Sequence, residues 1–166
     1  MNGRAANVAG GALLDPWVIA SMAILFINDH IFKHIQPSWV TGKLSDFAGL
    51  VFFPLLLQGC AEVVQKVLFG VHVPSRKVLL VCVGLTGMIF SVTELSAWGA
   101  EAYVRALDWG LGTPHRTWAD PTDLLALPML FVSYRLGRRR LMLLGRATLD
   151  AKQEPDGPSF YKAAPK

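Results

Sequence analysis

The chain has 166 residues, 52% of them hydrophobic and only 17% charged, with a mean hydropathy of +0.39. A soluble domain carries about 25% charged residues, so intrinsic disorder is excluded and a free-standing soluble enzyme is disfavoured. The net charge of +4 lacks the basic stripe that nucleic-acid binding requires, and two cysteines, Cys60 and Cys82, exclude a disulfide scaffold or a Cys-rich metal module.

Four apolar blocks follow one another, pointing to an all-α integral membrane protein with four transmembrane helices. A short cytoplasmic N-terminus, 1–15, precedes a four-helix domain, 16–146. Asp15-Pro16 opens the first block as N-cap and first helical residue. Its span is expected over about 16–35. The block ends in Asn28-Asp29-His30 rather than small residues, which marks a retained helix and not a cleavable signal. The second span is expected over 46–66, opened by Ser45-Asp46, with Glu62 and Lys66 as an i,i+4 pair near its end and Gln58 able to bond across helices. The phrase GKLSDFAGL, 42–50, has the look of a signature.

Gly70 and Pro74 punctuate the next turn, and Ser75 is a cap for a third span over 77–96. The stretch from Ser96 to Trp109 is amphipathic, either continuing that helix or lying flat on a membrane surface. Asp120-Pro121 opens a fourth, short span over 121–136. The run Arg135, Arg138, Arg139, Arg140 then anchors it on the cytoplasmic side, where an anionic lipid surface suits it. Residues 147–166, with Pro155, Gly157, Pro158 and Pro165, read as a disordered cytoplasmic tail.

The charge-free cores of these blocks fall short of the 18 residues that identify a span alone, and loop charge supplies the missing support. With both termini inside, twelve of the 16 Lys and Arg residues fall in inner segments and four, Lys33, Lys43, Arg105 and Arg116, in outer ones. That is the bias of an N-in, C-in protein of a bacterial-type inner membrane. Trp39, Trp98, Trp109 and Trp118 fall in the outer segments, at the interface level indoles prefer.

The second and fourth blocks begin alike, Ser45-Asp46 against Thr122-Asp123, each followed by a proline, Pro54 or Pro128. The first and third end alike, in Asn28-Asp29-His30 and Thr93-Glu94. A duplicated helical hairpin explains the echo; so does coincidence, because Ser/Thr-Asp is a common helix opening.

By this topology Asp29, His30, His34, Asp46, Glu94, His115, Asp120 and Asp123 share one layer at the outer boundary. His30 and His34, four apart, face one side of a helix. With Asp46 and Asp123 they could ligate a divalent metal such as Zn, Mn or Fe, although two interfacial histidines more often are solvated or capping groups. Asp29 sits inside the helix end, where a carboxylate faces protein or a wet cavity, with Lys33 as its bland i,i+4 partner. Asp46 and Asp123 are either helix-end caps or halves of carboxylate pairs with Asp29 or Glu94 in which one proton is shared.

The function expected is a membrane component whose outer acidic and histidine cluster binds a cation, a proton or a partner protein. Four helices hardly enclose a path alone, so transport implies a homo-oligomer or a larger complex. Two rivals stand beside it. One is a small membrane enzyme using Asp29, His30, His34, Asp46 and Asp123 as metal ligands or acid–base groups on a lipid-linked or outer-face substrate, and the other is a structural accessory subunit.

Overall fold

A computed structural model describes residues 8–32, 35, 38–70, 74–112 and 119–153. Among them the chain is all-helical, with no strand and 89% helix. A 3₁₀ turn, Gly11–Leu14, leads into α1 (Pro16–Ile27). As expected, Asp15 caps α1, accepting from the Trp17 N–H at 3.0 Å. The helix then loosens into a π turn, Asn28–Phe32, and carries Asn28 fully into the interior.

The next helix, α2 (Trp39–Phe69), is 31 residues long and opens well before residue 46. The correction has a local cause. Ser38 and Thr41 form a capping box, each side chain taking the other's backbone N–H, and so satisfy the free donors of a helix start at that point. Ser45 and Asp46 consequently lie inside the helix, not at its cap. Gly70 ends α2 with φ 74°, the left-handed conformation that glycine adopts at little cost.

Ser75 caps α3 (Arg76–Leu95) through the Lys77 N–H. The chain breaks at Ser96, and α4 (Ala97–Leu111) is a separate helix capped by that same serine. A Cβ on Gly99 would lie 2.3 Å from the Val92 carbonyl oxygen, so the sharp α3–α4 corner requires glycine there. Asp120 caps a 3₁₀ segment, Pro121–Ala126, and α5 (Met129–Gln153) follows. Helix α5 continues past Ala147, where the tail is expected to begin.

Helix α2 is the central element and touches α1, α3 and α5, while α4 leans on α3. The apolar core is small: Ala12, Val18, Leu55 and Leu79, with Phe52, Tyr134 and Leu141 against it. Glycines let the helices close. A Cβ on Gly137 would sit 2.7 Å from a Leu79 methyl, and one on Gly87 2.6 Å from a Leu130 methyl.

Burial departs from that of a water-soluble globule. Asn28, Gln58, Glu62, Ser133 and Arg140 are buried, whereas Trp17, Phe26, Val67, Val81, Met88 and Phe131 are more than 55% exposed. Two helices, α2 and α3, are long and apolar enough to cross a membrane. The segment Pro16–Phe32 is apolar but shorter, and the fourth expected span, 121–136, divides into the 3₁₀ segment and the first turns of α5. Among the described residues, two span-length helices with two shorter companions therefore stand where four spans were expected. The sequence echo does not extend to the backbone either, since Ser45-Asp46 is α-helical and Thr122-Asp123 lies in a 3₁₀ segment.

Candidate functional site

Buried polar side chains gather at two levels of α2. At its N-terminal end, Asn28 donates from Nδ2 to the Thr41 carbonyl at 2.6 Å and to Ser45 Oγ at 2.7 Å. Ser45 Oγ in turn donates to Asp29 Oδ1 at 2.6 Å. The π turn presents Asn28 and Asp29 to α2 together, a typical use of such a distortion.

One turn away, Lys43 is buried and crosses to the 3₁₀ segment. Its Nζ donates to Thr122 Oγ1 at 2.6 Å and to Asp123 Oδ1, lies 3.8 Å from Asp120 Oδ2, and stands over the Trp39 ring at 5.3 Å. Asp120 receives the Thr122 hydroxyl at 2.7 Å and its backbone N–H at 2.9 Å. These bonds, with Lys43 behind them, hold its carboxyl below the usual range. The Asp120 N–H donates to Glu94 Oε2 at 3.1 Å, tying the end of α3 into the same layer.

The second level lies at the C-terminal end of α2. Arg140 Nη1 donates to both Glu62 oxygens at 3.0 Å, and its Nη2 to the Val8 carbonyl at 2.7 Å. Glu62 also accepts from the Gly10 N–H and from Gln58 Nε2, each at 2.9 Å. The network fastens the segment before α1 across α2 and α5. The expected Glu62–Lys66 pair gives way to this one, because Glu62 faces the interior and Lys66 does not.

Between the levels, α2, α3 and α4 enclose a half-open cavity of about 390 Å³. Its end beside the first level is polar, lined by Ser45, Asp46, Thr93, Glu94 and Tyr103. Burial pushes the Tyr103 phenol above its ordinary range. Deeper along the helices the walls are apolar: Leu50, Phe53, Leu57, Ile89 and Phe90. The volume falls within the ~300–1,000 Å³ of small-molecule sites, and the lining has their usual make-up of apolar walls with a few convergent polar groups.

The expected site residues separate into three surroundings. Asp29 joins the first level through Ser45, the neighbour of Asp46. Asp46 and Glu94 both line the cavity, while Asp123 turns to Lys43. His30 leaves the cluster: it is exposed, stacks on Phe26 at 4.2 Å, and its Nδ1 is 3.0 Å from the Phe26 carbonyl. Among the described residues no group of three or more His, Cys, Asp or Glu side chains could hold a metal ion. His34 and His115 lie outside the described residues. Cys82 is buried and Cys60 exposed.

Sequence reasoning missed Lys43 and Arg140. Lys43 was counted as a loop charge and Arg140 as one of an anchoring run. A signal existed for each. Lys43, Asp46 and Gly49 recur every three residues within GKLSDFAGL, a single face of a helix that begins earlier. Ser133, Gly137 and Arg140 recur at i, i+4, i+7 and form the buried face of α5.

No family model matches the sequence, and no curated protein or solved structure is similar to it. Function is therefore argued from the geometry alone.

Proposed function

We propose that the chain is a small multi-pass membrane component, with both termini cytoplasmic, that binds a cation where Asp46 of α2 and Glu94 of α3 meet one cavity. The observation that carries this reading is the pair of buried polar levels on α2. From Lys43 to Glu62 the helix rises about 28 Å at ~1.5 Å per residue, close to the ~30 Å hydrocarbon thickness of a bilayer. Between the levels the outward side chains are large and apolar, as lipid contact demands.

Segment Pro16–Phe32 rises about 25 Å at the same pitch, enough to cross with local thinning, and α5 crosses together with the 3₁₀ segment before it. Helix α4 then lies along the outer surface. The bias of basic residues, twelve of 16 on one side, supports the N-in, C-in orientation in an inner membrane. Intramembrane carboxylates facing a cavity are functional candidates by default, and among the described residues the cavity lining contains two acids and no base. A bundle this small encloses no complete path, so transport would require a homo-oligomer or a larger complex.

Two measurements test the reading. In a Cys60→Ser, Cys82→Ala background, Gly110→Cys should react with an impermeant maleimide from outside intact cells, and Leu68→Cys only after permeabilisation. The reverse pattern overturns the topology. In detergent, at constant ionic strength, at least one of Na⁺, K⁺, Mg²⁺, Mn²⁺ or a primary alkylammonium should raise the melting temperature saturably relative to N-methylglucamine, and the shift should vanish in Asp46→Asn and Glu94→Gln. No shift with any metal ion or alkylammonium overturns cation binding.

A further inference from the structure

We infer that the cavity between α2, α3 and α4 is the site of a single-chain amphiphile with a cationic amine head, the head held at Asp46 and Glu94 and the chain lying along Gly49, Leu57 and Phe90. The inference rests on the proposed cation site and names the molecule that carries the cation.

Shape supports it first. The lining follows one stripe of α2 from Ser45 to Leu57 and one of α3 from Thr86 to Glu94, which at ~1.5 Å per residue extend about 18 Å and about 12 Å. The space is therefore elongated along the helices, not round. Polarity changes along that length. The hydroxyls and carboxyls of Ser45, Asp46, Thr93 and Glu94 lie at one end, and aromatic and aliphatic groups beyond. The one deeper hydroxyl, Thr86, is already occupied, donating to the Cys82 carbonyl at 2.8 Å. A hydrated ion alone leaves the apolar two-thirds of such a cavity unused, and a wholly apolar molecule leaves the carboxyl end unmatched.

Charge selects the head. Among the described residues two carboxyl side chains and no basic side chain line the cavity, and the nearby Lys43 ammonium donates to Thr122 and Asp123. An anionic head would meet Asp46 and Glu94 with like charge in a poorly solvated place, which is strongly unfavourable. An amine meets two acceptors there, with the Tyr103 ring and its hydroxyl at the mouth. The half-open side gives a membrane-dissolved chain lateral access from the bilayer.

Gly49 is where the chain has to pass closest to α2. A Cβ there would touch only the Phe53 ring, at 3.3 Å, and a longer side chain would continue into the cavity. Gly49→Leu should thus occlude the site while favouring the helix.

The test uses purified full-length protein in maltoside micelles, with dodecylamine, dodecanol, dodecanoate and butylamine as probes, read by native mass spectrometry and by thermal shift. Dodecylamine should bind one per chain, at least tenfold more tightly than dodecanol or butylamine, with dodecanoate weakest. Asp46→Asn and Glu94→Gln should each reduce that preference at least tenfold, and Gly49→Leu should abolish binding; Ile89→Trp, on the facing helix, replaces it if the leucine variant does not fold. Equal binding of dodecylamine and dodecanol, or binding indifferent to both carboxyl variants, overturns the inference. If butylamine or a metal cation binds as well as dodecylamine, the cation site stands and the amphiphile does not. If no cation of any kind binds, both fall.

Discussion

Replacing either partner of the Glu62–Arg140 pair should be costly, and the two replacements should not cost the same. The side chains are 3% and 9% exposed, so neither charge can recover solvation by a small movement. Removing one member of a buried pair typically costs about 3–5 kcal/mol. In Glu62→Leu, Arg140 retains the Val8 carbonyl at 2.7 Å but loses both carboxylate oxygens, and the Gly10 N–H and Gln58 amide lose their acceptors as well. Each donor left unmet while buried adds about 1–3 kcal/mol, which places this variant at or above the upper end of the range. In Arg140→Met, Glu62 keeps two donors, Gly10 N–H and Gln58 Nε2, both at 2.9 Å, and the cost should lie near the lower end.

The double variant removes both charges and leaves only neutral groups unmet, so it should be less damaging than Glu62→Leu alone. Unfolding in detergent, followed by circular dichroism and by hydrogen exchange at residues 10–14, measures all three. The coupling between the substitutions should be about 2 kcal/mol or more, with exchange at 10–14 accelerating most in Glu62→Leu. Strict additivity within about 0.5 kcal/mol, the behaviour of independent sites, would refute the network as the fastening of the N-terminal segment. So would a larger loss in Arg140→Met than in Glu62→Leu.

At the other end of α2, Lys43→Met should destabilise more than Asp123→Asn. The first strips the cation from a layer holding Asp120, Asp123, Asp46 and Glu94, whereas the second leaves Lys43 with Thr122 and Asp120; melting temperatures in detergent in the opposite order would contradict the arrangement. Asp120 titrates below its ordinary range because Thr122 binds its ionised form. Its stabilising contribution is thus fully present above the unfolded-state value, near 3.8, and disappears as pH falls through the lower folded-state value. Stability between pH 5 and pH 2 should fall less steeply in Asp120→Asn than in wild type, and identical slopes would remove the cap from consideration. Gly137→Leu should cost about 1–3 kcal/mol by overpacking against Leu79 and Leu55, while Gly145→Leu, where an added Cβ meets nothing within 4 Å, should be nearly neutral on the same melts.

Helix positions were largely legible in the sequence because their caps are local chemistry. Asp15-Pro16, Ser75, Gly70 and Asp120-Pro121 act within two or three residues of themselves, and each does in the structure what its type and spacing imply. The opening of α2 was misjudged for the same kind of reason. Ser45-Asp46 and Ser38 with Thr41 both have the chemistry of a cap, and the charge-free apolar block begins only after Asp46. The chain places Trp39 and Val40 on the exposed side and Lys43 on the buried side, so a helix already running there breaks no rule of burial once partners for Lys43 exist. Those partners, Thr122 and Asp123, lie some eighty residues away. Nothing local announces them.

The site was legible as a layer and not as a constellation. Hydropathy and loop charge bring Asp29, Asp46, Glu94, Asp120 and Asp123 to one level, but a level has no azimuth. Rotation of each helix decides which side chains meet, and that depends on where small residues let helices close. Gly87 and Gly137 draw α3 and α5 onto α2 and its neighbours, and the π turn after Ile27 swings Asn28 and Asp29 toward Ser45 while His30 remains outside. The histidine therefore lost its place in the cluster through a change of helical phase at a single turn, which a pattern of 3.6 residues cannot register. Glu94 keeps its place: α3 stops at Ser96 with its last turn buried at Thr93 and Glu94, and Tyr103 of α4 lines the same cavity. Glu94, in that last turn, accepts the Asp120 N–H on one oxygen at 3.1 Å. Burial and a place with Asp46 at the polar end of an otherwise apolar cavity set it apart from an ordinary interfacial acid.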